Sequence, residues 1–142
     1  MSHHFPYLAI VILLAAAAII DIRKKRIPDK LVLAGTVAGL AFVLIDPQRE
    51  FLNSILGGVT AGLVLLLIHY ITKGGLGLGD VKLFGCSGIF LGFESTVSAM
   101  LISAILSGLF SMVLICLNPD NKKREIPFAP FILAGVLAVI IP

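Results

Sequence analysis

Two carboxylates stand out because of where they occur in an apolar chain. Asp21 follows the first apolar run, residues 5–20, and Asp80 opens the fourth, about 81–93. An ionisable group at membrane depth is costly, and by default it marks a functional site facing a bundle interior or a wet cavity. Two carboxylates brought together cannot both ionise easily, because like charges repel and burial withholds solvent, so such a pair shares a proton. One member can then take a proton from water while the other donates to a carbonyl oxygen, which is the division of labour that peptide hydrolysis requires. A structural reading stands beside this one. Asp21 could simply end a helix next to its basic cluster, and Asp80 could be a first-turn acid complementing a helix dipole. Position alone leaves both open.

The remaining polar residues carry weaker chemistry. Gly74, Gly75, Gly77 and Gly79 crowd the segment before Asp80 and permit turns and close backbone approach. They do not form a phosphate loop, since no Gly-Lys-Ser/Thr follows. Cys86 and Cys116 sit singly in apolar stretches without CxxC spacing, so they read as small buried side chains; neither a metal nor another cofactor is expected. Asp29, just after Pro28, is suited to capping the helix that starts there. His69 and Tyr70 read as an interfacial belt. Basic residues flank apolar runs instead of forming a groove, which argues against a nucleic-acid partner.

The elements that must hold Asp21 and Asp80 follow from composition. In 142 residues, 58% are hydrophobic and 13% charged, against about 25% charged in soluble domains. So few polar groups cannot cover a water-exposed surface, and the chain reads as all-α and polytopic, a bundle of about six transmembrane helices in a single domain, 1–142. A span needs roughly 20 residues. Apolar runs lie at about 5–20, 31–45, 51–71, 81–93, 95–117 and 128–141. The first lacks the leading charges and cleavage site of a signal peptide and is read as a retained span. Small residues in the third, Gly57, Gly58, Ala61 and Gly62, suit close helix packing in lipid. The fourth is too short to span alone, and a re-entrant start at the glycines would lengthen it.

Charge fixes orientation. The connections after runs one, three and five hold Arg23, Lys24, Lys25, Arg26, Lys30, Lys73, Lys82, Lys122, Lys123 and Arg124, ten of the 11 basic residues, leaving only Arg49 on the other face. By the positive-inside rule these connections are cytoplasmic, both termini lie outside, and both aspartates stand at the cytoplasmic edge. Arg23 to Arg26 would also contact anionic lipid headgroups.

Three segments resemble one known family. Gly77-Leu78-Gly79-Asp80-Val81-Lys82-Leu83 looks like the GxGD signature of the type IV prepilin peptidases, which are intramembrane aspartyl proteases. Upstream, Asp21-Ile22-Arg23 with Arg26-Ile27-Pro28-Asp29-Lys30-Leu31 resembles the family's first aspartate motif. Downstream, Ile126-Pro127-Phe128-Ala129-Pro130-Phe131 resembles its C-terminal motif. GxGD alone says little, but three motifs in order cover nearly the whole chain.

The resemblance implies that Asp21 and Asp80 are a catalytic dyad, with Gly77, Gly79, Lys82, Pro28, Asp29, Pro127 and Pro130 supporting it. It implies no cofactor, and as substrates prepilins or pseudopilins, whose basic leader is cut on the cytoplasmic side before a hydrophobic helix; membrane lipids are the other partner, and the oligomeric state is left open. Ala129 stands where the family often has glycine. The N-terminal extension with paired CxxC motifs, associated with N-methylation, has no counterpart here, which points to the short peptidase-only type or a chain trimmed to that core; Ser2, His3 and His4 fit a native start or a tag remnant. A preflagellin peptidase would use the same dyad. A small transporter subunit using the pair for cations or protons is the reading from another class, but the chain has neither paired repeats nor acids at mid-membrane.

Overall fold

A computed structural model describes residues 4–141, so Ser2 and His3 lie outside it. Six α-helices follow one another: α1 (Phe5–Lys24), α2 (Asp29–Ile45), α3 (Phe51–Ile71), α4 (Leu78–Leu91), α5 (Phe93–Leu117) and α6 (Ala129–Ile140), with a 3-10 turn at Pro119–Lys123 before the last. No strand occurs among the described residues. The all-helical expectation therefore holds, and the chain is a polytopic membrane protein. Three of the helices, α1, α3 and α5, are long and apolar enough to cross a bilayer by length and composition.

Boundaries differ from the apolar runs wherever polar residues belong to a helix. α1 continues past Asp21 to Lys24, so Asp21 does not end it. α2 starts at Asp29, two residues before the apolar run, with Pro28 as its cap. α4 starts at Leu78, which makes Asp80 its third residue, and ends at Leu91. Gly92, at φ 80°, is the single hinge before α5, a backbone conformation that a side chain would strain.

The inside of the bundle is built on α4. Its residues Leu83, Phe84, Cys86, Ser87 and Phe90 are almost fully buried, and it packs against α1, α2, α3, α5 and α6. The outer face of α5 is the opposite case: Leu101, Ile105, Leu109 and Met112 are exposed, as side chains facing lipid should be. Ser87, Thr96 and Ser103 are buried, and each hydroxyl donates to the carbonyl four residues back, at 2.9, 2.5 and 2.7 Å. Small residues bring α3 against α4. A Cβ at Gly57 would stand 2.5 Å from the Gly88 carbonyl oxygen, and one at Gly88 equally close to that of Gly57. Gly58 meets α4 at the Gly85 carbonyl, Ala61 is fully buried, and the Gly62 Cα would stand 3.9 Å from a Cβ at Gly85, although a Cβ at Gly62 itself would meet open space.

α4 has 14 residues, about 21 Å at 1.5 Å per residue, short of a hydrocarbon core of about 30 Å. Residues 72–77 are non-helical, so the glycines do not lengthen it as a helix. Its far end is satisfied from the side instead. Arg49 donates from Nη1 to the Phe90 carbonyl at 2.8 Å, and the Phe93 N–H donates to Asn53 Oδ1 at 3.0 Å. Backbone groups freed inside a bilayer need such partners. Arg49 is itself held by Asp46 at 3.6 Å and lies over the Tyr7 ring.

Candidate active site

Asp21 sits in the last turn of α1 and is only 6% exposed. Lys25 ends that helix in the left-handed conformation, φ 51°, with its N–H donating to the Asp21 carbonyl at 2.7 Å. The Asp21 side chain reaches the other end of the sequence: Oδ2 accepts the backbone N–H of Ala129 at 3.1 Å. Ala129 is the first residue of α6, whose opening N–H groups have no intrahelical partner, so a carboxylate there is both hydrogen-bonded and placed at the positive end of a dipole. Pro130, in the same first turn, lacks an N–H where none is needed.

Asp80 comes from the opposite side of the bundle, on the first turn of α4. The helix is capped by Gly77, whose carbonyl accepts the Asp80 N–H at 3.1 Å. Its Oδ1 is enclosed and has no hydrogen-bond partner among the described residues, and Asp80 lines the same two cavities as Asp21. Buried polar atoms are normally paired, so the unpartnered Asp80 Oδ1 is an exception to the packing around it.

The glycines of the GxGD segment have separate steric reasons. A Cβ at Gly77 would stand 3.1 Å from Asp80 Oδ2, in the space that the carboxylate itself uses. A Cβ at Gly79 would stand 3.2 Å from Cβ of Ile27, a buried residue of the Ile27-Pro28-Asp29 stretch. Gly79 therefore seats the second aspartate's helix on the segment that follows the first aspartate. Lys82 extends the same junction: its Nζ lies 3.0 Å from Asp29 Oδ1, with both side chains largely exposed. Asp29 is thus not the cap expected from sequence. It occupies the first helical position, makes no capping bond, and pairs with Lys82 across the α2–α4 junction.

Both aspartates line two cavities and so stand on their shared wall. One, of about 710 Å³, is bounded by Ile68, Leu76, Pro127, Phe128 and Phe131, with Ser107 and Ser111 of α5 at its side. The other, of about 610 Å³, is bounded by Lys24, Arg26, Pro28, Asp29, Gly79 and Lys82. Lys25 and Gly77 belong to both. Every sequence-derived site residue except Pro130 thus lines one of these cavities, and Pro130 sets the helix that contacts Asp21. Among the described residues no group of three or more His, Cys, Asp or Glu stands together as metal ligands would.

Sequence reasoning missed several contributors. The Ala129 N–H is a backbone group without a residue signature. His69, read as an interfacial side chain, donates from Nδ1 to the Leu76 carbonyl at 2.5 Å, while Tyr70 is exposed as expected. Arg49 holds the far end of α4 and Asn53 the start of α5, and the lone basic charge in that connection was the available clue.

The family described as the type IV leader peptidases matches residues 8–112, which include both aspartates and the whole 77–82 segment. The chain belongs to the type IV leader peptidase family. Its similarity extends to proteins named prepilin leader peptidase/N-methyltransferase. That of Bacillus subtilis (strain 168) is 32% identical over 131 residues, 92% of this chain and 53% of the relative. That of Aeromonas salmonicida (strain A449) is 30% identical over 133 residues, 89% and 46% respectively. That of Legionella pneumophila is 29% identical over 141 residues, 95% and 49%. The chain spans about half the length of the curated relatives it matches. No solved structure gives a significant match. The C-terminal 126–131 segment of this leader-peptidase family member lies beyond the family match, yet it supplies the Asp21 partner.

Proposed function

We propose that this chain is an intramembrane aspartic endopeptidase that removes the basic leader of type IV prepilins or pseudopilins at the cytoplasmic face, with Asp21 and Asp80 as its catalytic dyad. The observation that carries the reading is the convergence of these two carboxylates on one wall between two cavities, one unpaired at Oδ1 and the other anchored at Oδ2. Their supports come from both ends of the sequence, which favours one peptidase domain over residues 1–142.

In this reading the dyad holds one proton and a water. The ionised carboxylate takes a proton from the water as its oxygen bonds to the peptide carbon, and the protonated partner donates to the carbonyl oxygen. Collapse of that gem-diol breaks the C–N bond: the carboxyl that took the water proton gives it to the leaving nitrogen, and the other carboxylate takes back a hydroxyl proton as the new carboxyl group forms, so the dyad again holds one proton. The larger cavity has an apolar side, Ile68, Leu76, Phe128 and Phe131, that suits the start of an apolar substrate helix, and a charged side formed by Lys25, Lys122, Lys123, Arg124 and Glu125. The smaller one faces the leader. Its Lys24, Lys25, Arg26 and Lys82 oppose basic residues, so apolar contacts with the helix supply most of the affinity.

The orientation that belongs to this proposal puts residues 72–77 and 118–128 in the cytoplasm and both termini outside, a reading supported by the positive-inside bias of the ten basic residues. The purified chain, mixed with a prepilin in detergent, should release the leader just before the hydrophobic segment. A prepilin left intact, while a full-length relative cleaves it in the same detergent, would end the proposal.

A further inference from the structure

The segment that carries Gly77 to the site is poorly equipped to hold its own shape. Gly74, Gly75 and Gly77 surround one side chain, Leu76, and Gly74 adopts φ 89°. Local backbone bonds tie its two ends but not Leu76: the Gly74 N–H donates to the His69 carbonyl at 2.9 Å and the Gly75 N–H to the Thr72 carbonyl at 3.2 Å, while the Gly77 carbonyl accepts the Asp80 N–H at 3.1 Å. From Leu76 onward the chain must place Gly77, the cap of α4, and through it the carboxyl of Asp80. The one hydrogen bond to the Leu76 carbonyl among the described residues is donated by His69 Nδ1, at 2.5 Å, from the last turn of α3. A carbonyl can only accept, so Nδ1 carries the proton, and it does so in both the neutral and the cationic ring. His69 thus clamps the loop from both sides, its main-chain oxygen on Gly74 and its ring on Leu76.

We infer that His69 is a positioning residue for the reaction: it fixes the glycine segment against α3 so that Gly77 and Asp80 meet Asp21 in register. This deepens the proposed function and rests on it. His69 lies on α3, away from both aspartates in sequence, and touches neither. Its effect passes through Leu76 and Gly77, which line the larger cavity with the dyad. A displaced catalytic group costs rate more than binding, and about 1 Å of misplacement can cost 100-fold. Loss of the tie should therefore lower kcat by a larger factor than it raises KM, to which Leu76 contributes as one wall residue of the larger cavity.

The ring geometry supplies the test. An Asn amide nitrogen occupies the place of Nδ1, whereas that of Gln lies nearer to Nε2, so His69→Asn keeps the bond and His69→Gln and His69→Leu lose it. Steady-state cleavage of a prepilin is measured for the three variants beside the wild type and Asp80→Asn, together with amide hydrogen exchange over residues 74–77. The expected result is a kcat at least about tenfold lower for Leu and Gln with a smaller change in KM, recovery by Asn to within about threefold of wild type, and faster exchange over 74–77 only in Leu and Gln. Variants that all cleave like the wild type, or an Asn variant as slow as Leu, would overturn the inference. An Asp80→Asn protein that cleaves normally would instead remove the dyad reading. The exchange arm, which needs no activity, would still decide whether His69 orders the loop: unchanged exchange in both Leu and Gln overturns it.

Discussion

The backbone N–H of Ala129 donates to Asp21 Oδ2 at 3.1 Å, joining the last turn of the first helix to the first turn of the last. The bond needs only the main chain of residue 129, but Ala129 is fully buried and has no space around its methyl group to give. Ala129→Gly, which restores the glycine often found there, should cleave within about twofold of wild type. Ala129→Leu must push α6 away from Asp21, costing about 1–3 kcal/mol of stability and at least about tenfold in kcat. Melting in detergent and cleavage assays on the same preparations check both.

The two glycines before Asp80 should fail in different ways. A methyl group at Gly77 competes with the Asp80 carboxylate, whose tip can rotate away without disturbing the helix. Gly77→Ala is therefore expected to keep its melting temperature while losing about tenfold or more in kcat. A methyl group at Gly79 meets Cβ of Ile27, close to a backbone that cannot turn aside. Gly79→Ala should lose about 1–3 kcal/mol of stability as well as activity.

Arg49 should matter to stability and not to chemistry. It stands on the far face from the aspartates and satisfies the Phe90 carbonyl where α4 stops short. Arg49→Met leaves that carbonyl unpaired, at about 1–3 kcal/mol. Denaturation in detergent should show the loss, and cleavage per folded molecule should stay within about twofold.

Much of this was legible before any coordinates. The apolar runs located all six helices because both the lipid-facing surface and the bundle interior around α4 call for apolar side chains, and the glycines of α3 announced a tight helix pair. The two aspartates were legible as rare acids at run ends. What hydropathy could not show was helix extension through charged residues: Asp21 to Lys24 continue α1, and Asp29 starts α2, because a helix end at a membrane surface can carry charge. Asp29 misled for the same reason, since a cap and a first-turn ion pair look alike in sequence. The Ala129 contact and the His69 tie were illegible because they involve main-chain atoms, which carry no residue signature. Arg49 was visible only as a count on the wrong face.

Orientation has its own test. In a Cys86→Ser, Cys116→Ser background, a cysteine at Gln48 should react with a membrane-impermeant maleimide on intact cells, and one at Lys122 should react only after lysis. The reverse pattern would place the aspartates on the outer face and remove the cytoplasmic assignment.

The central claim is that Asp21 and Asp80 together perform the cleavage. Single-turnover release of the leader from a prepilin, with Asp21→Asn and Asp80→Asn compared with wild type, tests it most directly. An Asn at residue 21 still offers an oxygen to the Ala129 N–H, so the fold is kept while the proton chemistry is removed. Each variant should cleave at least about 1,000-fold more slowly than wild type, as members of a catalytic unit do, with unchanged helical content. Cleavage by either folded variant within tenfold of the wild-type rate would contradict the account.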